Sequence, residues 1–299
     1  MGIYNLDGNA INEIYNIDSA RLNTAYNTNG EIVYRKSGGV DYDVYTISSF
    51  LTINISNSQG FDVYNNTMFQ FRATGSTIAD IMNVYNITNG SAIATGVAVD
   101  SDHGDSASFS EEFYNVSDAF PLLYVTSDTN PALVYVNRVT TSSASLIRTL
   151  AFPIAQAGYY AAAACDFKND TIYMVGYTEQ KYLTDDGGAN KTLISKWDLS
   201  DLTNNGDGTY TPRFITSITR DFIYCTQGQQ FHDGMIWAAS GYTNHAGYIY
   251  AVNPTTGSIE HTIGLNTTTE VEGLAWLDDN SIVVGYQGGA YQKITFGNT

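Results

Sequence analysis

Two acids and an amide stand at matching places in this sequence. Asp105, Gln227 and Glu272 each lie four residues before an aromatic that closes a short strand-like run: Phe109, Phe231 and Trp276. The same place is taken by Gly60 before Tyr64 and by Ala163 before Phe167. A pair of carboxyl groups about 5–10 Å apart can break a glycosidic bond, one protonating the leaving oxygen while the other attacks or activates water. Asp105 and Glu272 supply those residue types, and Asp166 beside Phe167 adds a third acid. Read as a binding set, the same positions give Asp105, Gln227 and Glu272, with His232 next to Phe231. The plain alternative is that such acids hold water or an ion at the centre of the fold.

A second cluster, Asp100-Ser101-Asp102-His103-Gly104-Asp105, puts three carboxylates within six residues. Hard cations favour that oxygen density, so Asp100, Asp102 and Asp105 are candidate calcium ligands, although the Glu that ends an EF-hand loop is missing. An acidic connecting loop is the other reading. The histidines His103, His232, His245 and His261 lack a second ligand at zinc spacing, and Cys165 and Cys225 have no CxxC partner. The two cysteines read as buried thiols or as one disulfide. No GxSxG or comparable arrangement names a nucleophile.

The elements that must carry these residues are strands. The 299 residues include 23 Tyr and 27 Gly but only 14% charged residues, and Tyr, Thr, Val and Ile suit a pleated, half-buried surface. A net charge of −17 with 13 Lys plus Arg excludes a phosphate-binding surface, hence nucleic acid, and opposes docking on anionic membrane. No apolar run is long enough to span a bilayer, so membrane insertion is not expected. The first residues, MGIYNLDGNAINEIYNID, lack the basic start and apolar core of a secretory signal.

A repeat runs from residue 59 onward. GLAWLDDNSIVVGY, GQQFHDGMIWAASGY, AACDFKNDTIYMVGY and GFDVYNNTMFQFRATG share one order: a strand ending in an aromatic, a polar turn, a second apolar strand. The aromatics Tyr64, Phe109, Phe167, Phe231 and Trp276 are 45, 58, 64 and 45 residues apart, with insertions at 111–118 and 185–210, both read as loops. A third strand follows each, then a fourth after all but the last. Four strands at this period mark β-propeller blades, so the expected fold is all-β, a five-bladed β-propeller over 41–299. The last unit has three strands, and residues 43–56 are expected to supply its fourth and close the ring. Unclosed, it would present a bare sheet edge.

Residues 1–40 hold three copies of an 11-residue unit, YNLDGNAINEI, YNIDSARLNTA and YNTNGEIVYRK, with hairpin dipeptides Asp7-Gly8 and Asn29-Gly30. They are expected to form a small β-hairpin leader. The leader resembles the Tyr-Asp/Asn-x-Asp/Asn-Gly repeats that open many tail-associated proteins of phages and prophages of gut bacteria. Five-bladed propellers also occur in receptor-binding proteins of phages that infect Gram-positive bacteria, which are typically trimers. The resemblance implies a non-enzymatic adhesin on a virion or extracellular surface: a phage tail fibre or receptor-binding protein that contacts a host glycan or protein and other tail subunits, itself a homo-oligomer. Separately, Glu272-Gly273-Leu274-Ala275-Trp276 resembles blade openings of glutaminyl cyclotransferase-type propellers. That leaves an enzyme, glycoside hydrolase or cyclotransferase, as one alternative and a structural filament subunit as another.

Overall fold

The computed structural model describes every residue apart from 1–23, 27–31, 36–39, 54, 56, 73–79, 128–131, 181–188, 243 and 299. It divides into two compact units, Met1–Thr46 with Thr295–Thr299, and Ile47–Ile294. In the first, β1 (Thr24–Tyr26) and β2 (Ile32–Arg35) pair antiparallel, Thr24 opposite Arg35 and Ala25 opposite Tyr34. They bracket Asn29-Gly30; that turn, the first leader copy and the second up to residue 23 lie outside the described residues. β3 (Val40–Thr52) begins in this unit and ends in the other. Within the first unit Tyr42 meets Phe296 edge-on, ring centroids 5.0 Å apart.

The second unit is all-β, built from antiparallel meanders. The first comprises β4 (Ser58–Tyr64), β5 (Thr67–Arg72), β6 (Asp80–Asn86) and β7 (Ala92–Val99); the second, β8 (Ser106–Phe109), β9 (Leu123–Ser127), β10 (Ala132–Val139) and β11 (Ala144–Phe152). After a single helical turn, α1 (Ile154–Ala157), the third holds β12 (Tyr159–Asp166), β13 (Thr171–Tyr177), β14 (Thr192–Asn204) and β15 (Thr209–Arg220). The fourth holds β16 (Thr226–His232), β17 (Met235–Ser240), β18 (Tyr248–Val252) and β19 (Ile259–Gly264). The fifth runs β20 (Val271–Asp278), β21 (Ser281–Tyr286), β22 (Ala290–Asn298), and its fourth strand is β3. The second and third merge into one eight-stranded sheet, because β11 and β15 pair in parallel at Thr149–Thr209 and Leu150–Tyr210.

That merger corrects one reading. Much of the 185–210 insertion is strand, the β14–β15 ladder continuing to Asn204 opposite Tyr210. Leu199, Leu202 and Tyr210 pack from it onto the core between the second and third meanders, which gives the extension an apolar reason to stay ordered. The 111–118 insertion is a loop, held by Arg138 in a two-pronged pair with Asp118.

Second strands read as nearly continuous apolar runs because both their faces are covered. In β5, Met68 joins Phe61, Ala275, Val283 and Tyr291 on one side. Phe69 and Phe71 join Leu123, Val125 and Val139 on the other. Each such side chain contributes about 1.5–3 kcal/mol by leaving water. The fourth strands, at the outside, are largely exposed, as β7 illustrates.

The first strands β4, β8, β12, β16 and β20 pack on one another, and a polar clasp holds them. Gln230 Nε2 donates to Asp62 Oδ1 at 2.9 Å and to Ala107 O at 3.0 Å, while its Oε1 accepts from Trp276 N. Asp62 also accepts from Phe109 N at 2.7 Å and Val63 N at 2.8 Å. Ser106 Oγ reaches Ala163 O at 3.0 Å and Gln229 O at 2.7 Å. These three side chains tie all five meanders together. Gly60 is required here: a Cβ would sit 2.5 Å from the carbonyl oxygens of Gly104 and Asp105.

Two outcomes are expected. Deleting residues 43–56 exposes β22 as an unpaired edge, so the deletion protein aggregates in light scattering where the full chain does not; a soluble, cooperatively folding deletion protein contradicts this. Burial raises the Asp62 carboxyl from 3.8 to about 6 against the hydrogen bonds that oppose the shift. The folded state therefore holds this proton more tightly than the unfolded chain. The stability linked to it is present below pH ~4 and lost as pH rises through 6, amounting to about 3 kcal/mol. Asp62→Asn lacks that titration, so denaturant unfolding should show its stability relative to the native chain rising between pH 4 and 7. A flat difference refutes the assignment.

Candidate functional site

The residues that open the five first strands gather at one end of their bundle. Gly60 N donates to Gly104 O at 2.9 Å. A Cβ built on Gly228 would collide with the Gly273 backbone, and one on Gly273 would lie 3.2 Å from Gly60 Cα. At the other end, Asp62 meets Phe109 and Gln230 meets Trp276. Starts meet starts and ends meet ends.

Strand register corrects the alignment by aromatics. Equivalent cross-strand pairs are Val63–Met68, Phe109–Leu123, Cys165–Ile172, Phe231–Ile236 and Trp276–Ile282. Met68, Leu123, Ile172 and Ile236 each pack toward the preceding meander, which fixes the equivalence. Val63 and Cys165, rather than Tyr64 and Phe167, therefore fill the aromatic slot. Counting back four gives Gln59, Asp105, Ala161, Gln227 and Glu272, polar in four of five. Register shifts fall beside them, between Ser58 and Phe61, Thr226 and Gln229, and Val271 and Gly273. Such bulges re-aim side chains out of the ladder.

The ring is crowded with negative charge. Glu272 is only 1% exposed, and Asp105 and Glu270 are buried beside it. Gln227 Nε2 donates to Glu270 Oε1 at 3.1 Å, and His103 Nδ1 lies 2.8 Å from Asp105 Oδ1. Burial, then the charges of Glu270 and Asp105, hold the Glu272 carboxyl well above the usual carboxylate range, with His103 opposing. Gln59 Oε1, Gln227 Oε1 and Glu272 Oε2 are buried acceptors with no hydrogen-bond partner. A desolvated acceptor left so costs about 1–3 kcal/mol, more when charged.

Of the residues singled out from sequence, Asp105, Gln227 and Glu272 come together. Asp166 does not: it closes β12 at the far end, where Asn169 Nδ2 donates to it at 2.8 Å. His232 is at that end too, stacked on Trp276 with centroids 3.7 Å apart, and burial lowers its pKa. The proposed calcium ligands have different partners. Asp102 accepts from Ser127 Oγ at 2.8 Å, Asp105 faces His103, and Asp100 uses its carbonyl oxygen to receive Asn137. Among the described residues no three His, Cys, Asp or Glu side chains gather closely enough to hold a metal ion. Cys165 and Cys225 are buried free thiols rather than a disulfide.

Two site residues escaped the sequence reading. Gln59 was one step out of register, though the pair Gln59-Gly60 matches Gln227-Gly228 and the acidic pair Glu272-Gly273. Glu270 precedes its strand, yet its spacing of two from Glu272 was a usable sign of a shared face.

No protein-family model matches the chain, and no curated protein matches it. Among solved structures, hydrazine synthase of Kuenenia stuttgartiensis aligns with a TM-score of 0.42 at 10% identity, over 79% of this chain and 57% of that one. The PQQ-bound form of aldose sugar dehydrogenase from Streptomyces coelicolor aligns with a TM-score of 0.48 at 9% identity, over 87% of this chain and all of that one.

Proposed function

We propose that residues 41–299 form a five-bladed β-propeller closed by β3, and that the chain is a non-enzymatic recognition protein of a virion or cell surface. By its leader it is a phage tail fibre or receptor-binding protein. The observation that carries the binding role is the set of buried, unpartnered acceptors on Gln59, Gln227 and Glu272. Native folds satisfy such groups, and a ligand that brings donors completes these. The Tyr-, Asn- and Ser-rich composition supports the reading, since rigid aromatic area and small polar groups suit adaptable recognition of a host glycan or protein.

One observation favours a second reading, a two-carboxylate glycosidase. Glu272 is held toward its protonated form near Asp105, as an acid beside a carboxylate would be. Asp166 has no part in that version.

The purified full chain should bind envelope preparations from gut bacteria, and Glu272→Gln should weaken binding at least tenfold. Absence of binding to a broad envelope panel sinks the adhesin reading. Turnover of a glycoside that Glu272→Gln abolishes would move the assignment to the enzyme. In solution the full chain should have the mass of a trimer and the 41–299 fragment that of a monomer; a monomeric full chain removes the assembly role of the leader.

A further inference from the structure

The unpartnered acceptors define their own complement. Gln227 has its amide orientation fixed, because Nε2 donates to Glu270 Oε1 and the oxygen is left over. Gln59 and Glu272 contribute one more unpaired oxygen each from equivalent places on neighbouring strands. With Glu272 ionised, the form a bound cation favours, these are three acceptors that call for a group with three N–H bonds. A primary ammonium has that number and no acceptor of its own.

Charge points the same way. Asp105, Glu270 and Glu272 are all buried at this end of the strands, with His103 against Asp105. A cation offsets the negative charge gathered at this end of the strands, and an anion adds to it. Depth then selects the ligand's shape. Glu272 is 1% exposed, while the His103 side chain nearer the surface is 40% exposed. The backbones of Gly60, Gly228 and Gly273 lie close together at the same end of the strands. An ammonium at the end of an alkyl stem carries its donors to that level without bringing hydroxyls that would themselves need partners there.

We propose that Gln59, Gln227 and Glu272 form a receptor for an alkylammonium group, the end of a lysine side chain or of a free polyamine, with Glu270 and Asp105 supplying further negative charge. The inference rests on the recognition reading above and gives it a ligand class. Calorimetry of the full chain at pH 7 tests it with n-butylammonium, 1-butanol, N-acetyl-lysine methylamide, its Nζ-acetylated form, cadaverine and calcium chloride.

The amines should bind saturably. Butanol and the acetylated lysine should bind at least tenfold more weakly, and Glu272→Gln should cut amine affinity at least tenfold while retaining cooperative unfolding. Gln227→Leu is the second variant should the first misfold. Cadaverine binding tenfold more tightly than the lysine derivative identifies a free polyamine as the source, and the reverse identifies a protein lysine. No saturable binding, equal binding of butanol, unchanged affinity in both variants, or displacement of the amine by calcium each overturns the proposal. Envelope binding that n-butylammonium leaves undiminished would overturn it too, while sparing the recognition reading.

Discussion

The fold turns on the clasp of Asp62, Gln230 and Ser106 at the meeting of the first strands. Five strands brought this close leave no room for bulky side chains, which accounts for Gly60, Gly228 and the run Ala161–Ala164. The backbone groups trapped there must still be satisfied, and short polar side chains do it across strands rather than along them. Such a network is strong only when every member is paired. Asp62 is, through three donors, even though burial pushes its carboxyl up to about 6.

One step along the same strands the satisfaction fails. The polar ring repeats the clasp's chemistry but leaves one oxygen each of Gln59, Gln227 and Glu272 unpaired, with the Asp105 carboxyl nearby. The contrast between Asp62 and Gln230, completed by protein, and the ring, which is not, separates a structural pair from a binding set. Bulges at the starts of β4, β16 and β20 take Gln59, Gln227 and Glu272 out of the regular ladder.

Much of this was legible in the sequence, for identifiable reasons. Four-strand periodicity could be read because second strands such as TIYMVGY and SIVVGY are covered on both faces and stay apolar throughout. The strand composition of residues 43–56 and the three-strand C-terminal unit together indicated which segment joins that sheet, and β3 is found there at Val40–Thr52. Register was not legible. Cys165 fills a slot that is aromatic in three meanders, and the 3₁₀ turn at Phe167–Asn169 places an aromatic two residues late. In the first meander Val63 holds the slot and Tyr64 misleads by one. The β14–β15 extension was read as loop because its polar face dominates the sequence, while Leu202 and Tyr210 face a neighbour that only the tertiary fold supplies.

Placing β3 outside β22 also sets a clock. Val40–Thr52 joins a sheet whose other strands begin at Val271, so nearly the whole chain separates the two parts of that sheet. At ribosomal rates of about 5–20 residues per second the strand emerges and then waits on the order of 10–50 s for its partner to be made. Closure also carries the loop entropy of the longest separation among the described strand pairs, which makes it the natural last step of folding. Until then β3 is a strand without a neighbour, and Asp41, Asp43, Thr46, Ser48 and Ser49, interspersed among its apolar residues, keep it soluble while it waits.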